Sequence, residues 1–472
     1  MNKRTLEEIE TSEDIELLNN LKKQKKNSFL TTIDSSINLT SVESLKDRYN
    51  DNTVTLTSLL SKKRSTNIIQ FNFLLDLDWF MSQVPEHSKD TAKILFVHGM
   101  RDVLIPDSTQ IYPNTRFLKP HIPLPYGSHH TKAMILFYED DTMQVIIHTA
   151  NLIPGDWYYK TQAVWTSPFL SKKTEEYIQS GKECEFEKEL CKYIKYYNIP
   201  VLNRLAERVS LYNFEDCKVC RSNLAILISS VPGIHRGNEL NKWGHLQLKD
   251  VLSSKFKMKF DETDKTKQSY IISQISSIGA LGKDDRWLEK EFGNSLRYTN
   301  SGMDLNVNLK LVYPTVDNVR NSIEGWSGGN SLPFSNSNWQ KQSNYMGKIL
   351  HIWKAENSGR TRAMPHIKQH GGTLQKQGKQ LMIRNYELGV LLLPELFNEK
   401  ENDNVKLINY YGKYKDKELD SETKMVNIPI PFDLPLTPYP PKSINTDPNT
   451  TSPWTWDIQR NDLDLFGNKY YL

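Results

Sequence analysis

The stretch "YGSHHTKAMILFYEDDTMQVIIHTAN", Tyr126 to Asn151, decides how the chain is read. "KAMILFY" and "MQVIIHTA" are apolar runs of strand length, and Glu-Asp-Asp-Thr between them has the composition of a turn, so a buried β-hairpin is expected. Polar groups bracket the hairpin, with His130 and Lys132 before it and Asn151 after it. In extended chain, residues i and i+2 share a face. His130 and Lys132 should therefore project together while Thr131 turns away. The same triplet recurs at His366 and Lys368 in "AMPHIK".

Working outward, "IIQFNFLLDLDWF" (Ile68–Phe80) reads as a strand running into a helix, and "AKILFVHG" (Ala92–Gly99) as a buried strand closed by glycine. "EEYIQSGKECEFEKELCKYIKYY" looks helical, with charge on one face. Leu224 to Val231 is another buried strand, and "LNVNLKLVYP" alternates until Pro314 stops it. The prolines of "IPIPFDLPLTPYPP" lack donors, so this segment should wrap the surface as extended chain, pinned by Trp454 and Trp456 of "PWTW". Strands interleaved with helices, twice over, give two α/β domains. A poorly ordered polar and basic tail is expected over 1–40, then domains over 41–217 and 218–472, with the boundary near Glu215–Cys220. One His-x-Lys triplet falls in each domain.

The 472 residues suit two domains, and 38% hydrophobic with 25% charged residues is the balance of a soluble globular protein. No run of about 18 apolar residues exists to span a membrane, and "MNKRTLEEIETSEDIELL" lacks a signal-peptide core, so an intracellular address is expected. A net charge of +4 does not by itself mark a nucleic-acid binder. The cluster "LKKQKKN" (Leu21–Asn27) reads either as an import or phosphate-contacting segment or as a solvated charge run. Cys217 and Cys220 form a C-x-x-C, yet only Cys184 and Cys191 could complete a zinc site, so idle thiols are the simpler reading and no metal is expected.

Two imidazoles and two ammonium groups in one cleft would repel one another when charged unless an anion lay between them. A phosphate diester fits. Lysine stabilises charge on non-bridging oxygens, and an imidazole titrating near ~6.5 can be nucleophile, acid or base at cellular pH. One histidine can attack phosphorus while the other protonates the leaving oxygen and later deprotonates water. The lysines meet the charge that a metal would otherwise meet. A single His-x-Lys is a weak signal, and two unrelated surface triplets are the bland alternative.

At "HHTKAMILFYEDDTMQVIIHTANLIPGDWYYKTQ" the chain resembles the tyrosyl-DNA phosphodiesterase branch of the phospholipase D superfamily. "FNFLLDLDWF", "SQISSIGALG", "YPTVDNVRNSIEGWSGGNSLPF", "SGRTRAMPHIK", "KQLMIRNYELGVLLLP" and "PWTW" extend the likeness, in order, over most of residues 60–460. The common superfamily pattern has Asp five residues after the Lys, where this chain has Phe137; Asn151 fits the Asn used by this branch.

The resemblance implies two similar α/β/α sandwich domains packed with pseudo-two-fold symmetry, with the active site at their interface. It implies His130 as nucleophile and His366 as general acid and base, with Lys132, Lys368 and Asn151 on the phosphate. Gln162 would orient His130, and Glu387 would support His366; each could also be an ordinary core-edge polar group. Ser276 and Ser277 would contact the DNA backbone and Tyr126 would stack at the DNA end, or all three could be loop packing. His129 and His148 read as structural. No cofactor is implied. The partners implied are DNA 3′ ends carrying tyrosyl or other adducts and the topoisomerase I peptide, met by a monomer in the nucleus.

One departure stands out. After Lys368 the family continues through a hairpin bearing a second phosphate-binding Asn, whereas "HIKQHGGTLQKQGKQLMIRNYELG" passes directly to the Glu387 region. Asn385 lies at a tempting spacing but in the context of the later strand. About one hairpin is expected to be missing, either omitted from the recorded sequence or lost in a damaged or repurposed member. The rival readings are then a DNA-end binder without activity, or a lipid-directed or general nuclease of the superfamily.

Overall fold

The structure, a computed structural model, describes residues 32–101, 112–215, 225–257, 269–303, 307–367, 373–376, 378–398, 405–412, 424–440 and 448–472. Lys368, Cys217, Cys220, the basic cluster at 21–27 and most of the expected domain boundary lie outside the described residues.

The described chain begins with two short strands, β1 (Thr32–Asp34) and β2 (Ile37–Leu39). β2 edges a seven-stranded sheet with β3 (Ser65–Asn72), β4 (Lys93–His98), β5 (Thr115–Leu118), β6 (Ala133–Tyr138), β7 (Met143–His148) and β8 (Ala163–Thr166), in the order β2-β8-β7-β6-β3-β4-β5. β3, β4 and β5 run parallel, while β6, β7, β8 and β2 pair antiparallel. Where a tail was expected over 1–40, residues 32–34 and 37–39 form these two short strands, and 1–31 lie outside the described residues. Ile37 and Leu39 alternate with Asn38 and pair with β8, which supplies the edge that so short a segment needs.

Every residue of β6 and β7 is buried because both faces of the sheet are covered. Ile135, Phe137, Val145 and Ile147 meet Phe186, Leu190, Ile194, Leu202 and Leu205 from the helices Glu185–Tyr196 and Pro200–Val209. Met134, Leu136 and Ile146 meet Leu56, Leu59, Phe80 and Met81 from the helices Leu56–Leu60 and Leu77–Gln83. The hairpin turn closes locally: Asp140 Oδ1 accepts from the Thr142 amide at 3.2 Å and hydroxyl at 2.6 Å, and Asp141 takes φ 62°. The single helix expected over "EEYIQSGKECEFEKELCKYIKYY" is two, Glu175–Gln179 and Glu185–Tyr196, broken where Gly181 adopts φ 63°.

The second half contains β9 (Ile226–Ser230), β10 (Gly233–Arg236), β11 (Tyr270–Gln274), a small hairpin of β12 (Tyr298–Thr299) and β13 (Gly302–Met303), β14 (Asn308–Tyr313) and β15 (Leu350–Ile352). β16 (Thr373–Gln375), β17 (Gln380–Ile383), β18 (Glu387–Leu391), β19 (Val405–Asn409) and β20 (Lys424–Ile428) follow. β11, β14 and β15 are parallel neighbours, as β3, β4 and β5 are. β18 pairs antiparallel with β9, as β8 does with β2. In the first sheet β6 and β7 stand between β3 and β8. Among the described residues no strand stands between β11 and β18; the hairpin β16–β17 pairs with β10 instead.

The two halves share one core, in which Leu227, Val231, Leu381, Ile383 and Tyr386 pack with the first sheet's side chains. Beyond Ile428, the last residue of β20, the described part of the proline-rich segment forms no strand and is tied by Ile352 N–H donating to the Thr437 carbonyl at 2.8 Å. Trp454 is fully buried, stacks on Trp326 and donates to the Gly329 carbonyl at 3.2 Å. Trp456, expected to share that role, is 48% exposed.

Candidate active site

Two reciprocal parallel bridges bring the histidines to the junction of the halves. His129 pairs with Tyr386, and Thr161 with Pro365. The His130 amide donates to the Tyr386 carbonyl at 3.0 Å, and the His366 amide to the Thr161 carbonyl at 3.0 Å. Each histidine is thus hung on backbone from the other half.

The alternation expected around His130 is present. His129 turns inward, its ring nitrogens 3.2 Å from the Asn72 carbonyl and 2.9 Å from the Tyr197 hydroxyl. Burial above all lowers its pKa to about 3, so it is a neutral structural ring. Thr131 turns to the Tyr193 hydroxyl. His130 lies against Phe73, and Lys132 is 3% exposed with its ammonium 3.2 Å from the His130 carbonyl oxygen.

The supports are exchanged relative to expectation. Glu387 Oε1 lies 3.3 Å from His130 Nδ1, and Gln162 Nε2 lies 2.9 Å from His366 Nδ1. The cause is the bridging register: Tyr386 is paired beside His130, so the next residue reaches that ring, and Thr161 beside Pro365 does the same for His366. Gln162 is itself held, its Oε1 accepting from the Thr149 hydroxyl at 2.6 Å.

Asp156 had not been singled out from sequence. Its Oδ2 sits 3.1 Å from His366 Nδ1 and accepts the Asn151 amide at 2.7 Å; Lys160 Nζ is 3.9 Å from Oδ1 and 2.7 Å from Glu324 Oε1. Burial alone would raise the Asp156 carboxyl, but His366, Lys160 and the Asn151 amide outweigh it and hold it below the usual carboxylate range. Burial raises Glu324 despite Lys160. The signal in sequence was the i, i+4 pairing of Asp156 and Lys160 inside "NLIPGDWYYKTQ".

A cavity of about 970 Å³ opens over these groups and is lined by His130, Asn151, Asp156, Lys160, His366 and Glu387. The Asn151 side-chain oxygen is buried there without a hydrogen-bond partner. The three residues singled out for DNA line the same cavity: Ser276 is buried with an unpartnered hydroxyl, Ser277 is exposed, and Tyr126 is 96% exposed. Asn385 is occupied elsewhere, its Oδ1 accepting from the Ser128 amide at 3.0 Å and hydroxyl at 3.2 Å. Cys184 and Cys191 are free thiols, and burial pushes Cys191 up to about 11.

The sequence pattern of the tyrosyl-DNA phosphodiesterase family matches residues 36–370 and 371–440. The chain belongs to the tyrosyl-DNA phosphodiesterase family. Tyrosyl-DNA phosphodiesterase 1 of Arabidopsis thaliana is 32% identical over 490 residues, covering 92% of this chain and 76% of that one. The probable tyrosyl-DNA phosphodiesterase of Caenorhabditis elegans is 30% identical, covering 87% and 86%. A crystal structure of the yeast tyrosyl-DNA phosphodiesterase superposes with a TM-score of 0.60 at 18% identity, covering 85% of this chain and 97% of that one, which shows the shared fold. The family match falls into two stretches that meet at 370/371, directly after the second His-x-Lys.

Proposed function

We propose that the chain hydrolyses the diester between a DNA 3′ phosphate and a tyrosine oxygen, the adduct left by a stalled type IB topoisomerase, through a phosphohistidine on His130. The observation that carries this reading is the pair of imidazoles facing one cavity, each with Nδ1 occupied by a neighbouring carboxylate or amide. An imidazole held at Nδ1 presents Nε2 to the cavity. His130 Nε2 attacks phosphorus as the tyrosine oxygen leaves and takes a proton from His366 Nε2. His366 then removes a proton from water, which attacks the phosphohistidine and frees His130 and a 3′-phosphate end. Lys132, Lys368 and Asn151 would hold the non-bridging oxygens through both steps. Ser276, Ser277 and Tyr126 would position the strand, and its substrate would place the protein in the nucleus.

In this reading the lysines supply the charge stabilisation and no metal takes part. A 3′-phosphotyrosyl oligonucleotide incubated with the protein in EDTA should yield a 3′-phosphate strand and free tyrosine. That no described strand stands between β11 and β18 favours a second reading, an inactive binder of DNA ends. Tight binding of the oligonucleotide with no cleavage selects that alternative.

A further inference from the structure

Asp156 has no part in the steps above, yet it is 2% exposed, and no other Asp or Glu among the described residues is as fully buried. A carboxylate so placed is costly unless its charge is used. We propose that Asp156 is a positioning residue that keeps a proton on His366 Nδ1, so that Nε2 alone exchanges protons with the leaving oxygen and with water, and that Lys160 and Glu324 set how strongly it does so. This rests on the phosphodiesterase reading of the site and names what governs its acid–base group.

His366 Nδ1 stands between two unlike partners. Gln162 Nε2, at 2.9 Å, is a donor and favours a bare ring nitrogen; Asp156 Oδ2, at 3.1 Å, is an acceptor and favours Nδ1–H. The Thr149 hydroxyl accepts the Ala163 amide at 3.0 Å, leaving its own proton for Gln162 Oε1, which turns the amide nitrogen to the ring. The two contacts therefore sort protonation states. Gln162 suits the neutral ring carrying its proton on Nε2; Asp156 suits the imidazolium and the neutral ring with a free Nε2. Those last two are the states a general acid and then a general base must visit. One proton remains on Nδ1 through the cycle, and one shuttles at Nε2.

Lys160 would weaken this hold if its charge fell wholly on Asp156. It does not, because Glu324 takes the ammonium at 2.7 and 2.8 Å while Asp156 stands 3.9 Å away. The other charged or titratable groups nearby are His148, a neutral ring lowered to about 3 chiefly by burial, and Lys132, which acts on His148. His130, Glu387, Arg384 and Tyr126 are the other charged or titratable groups lining the cavity among the described residues.

The test compares native protein, Asp156→Asn and Glu324→Gln by two readouts. The first uses two 3′-phosphodiester oligonucleotides, one losing nitrophenolate, which needs no proton, and one losing an alkoxide, which does. Asp156→Asn should lose at least about tenfold more rate on the alkyl substrate than on the nitrophenyl one. The second follows the His366 ring by NMR with labelled histidine, assigned with His366→Asn, and needs no turnover. The ring pKa should fall by about 1–3 in Asp156→Asn and by less, in the same direction, in Glu324→Gln. Equal losses on both substrates, or an unchanged ring titration in Asp156→Asn, overturn the proposal. Should the native chain cleave neither substrate, the functional reading fails, and the titration still decides the role of Asp156.

Discussion

In the proposed mechanism His366 has unequal duties in the two steps, and that inequality is testable at a single residue. Tyrosine, a phenol of pKa ~10, leaves far more readily than an alkoxide, so the first step tolerates a poor acid. Water does not attack without a base. His366→Arg, whose guanidinium stays protonated, should therefore complete the first step and stall in the second, leaving a covalent protein–DNA band on a denaturing gel. No persistent band would contradict this order of events. Asn151 is the complementary case. Its backbone amide is fixed on Asp156 Oδ2 and its side chain lines the cavity, where in the proposed mechanism Nδ2–H would donate to a phosphate oxygen. Asn151→Ala should lower kcat by about 10²–10³, the usual loss for one oxyanion donor, measured under single-turnover conditions; a loss below threefold would remove Asn151 from the site. His130, Lys132, His366 and Asn151 could be singled out from sequence because a repeated triplet and a polar residue closing an apolar hairpin are local patterns; Lys368 lies outside the described residues. Which support serves which histidine was not legible in this way. That depends on the bridges His129–Tyr386 and Thr161–Pro365, whose partners lie far apart in sequence.

At the level of elements, the hairpin of β6 and β7 was legible because two predominantly apolar runs of strand length belong in the middle of a covered sheet. β1 and β2 were not legible, because three-residue strands take their stability from distant partners, β20 and β8. The same burial that makes the hairpin readable gives the sheet an acid weakness. His129 precedes β6 and His148 ends β7, and burial foremost holds each folded pKa at about 3, against ~6.5 for free imidazole. The unfolded chain binds these protons first, so the stability from their neutral burial is complete above pH ~6.5 and declines as pH falls toward 3. His148→Leu removes one such group beside Trp157. Its urea midpoint should drop less between pH 7.5 and 5 than that of the native protein. Identical drops would mean that His148 is not held neutral in the fold.

The whole molecule repeats one plan unequally. The strand triplets β3-β4-β5 and β11-β14-β15, and the pairs β2–β8 and β9–β18, correspond; the first sheet joins its triplet to its pair through β6 and β7, and the second has no described strand in that place. The consequences lie around the opening. Gln274 and Ser276, on and just after β11, are buried with side-chain polar atoms that have no partner, and Leu311 and Phe292 of the second core line the cavity. Buried polar groups and core side chains are not normally left so. Sequence showed where pairing ought to continue after Lys368, and the family match divides at 370/371. Among the described residues β11 is bonded on one side only, whereas β3 lies between β4 and β6. Amides of Tyr270–Gln274 should therefore exchange hydrogen at least about tenfold faster than those of Ser65–Asn72, since local protection follows local pairing. Restoring a hairpin of about 20 residues after Lys368, two strands of ordinary length with a turn and an Asn-bearing loop, should abolish that difference and raise cleavage together. Equal protection in the 472-residue chain would mean that another segment already fills the opening, and the binder reading would lose the observation that favours it.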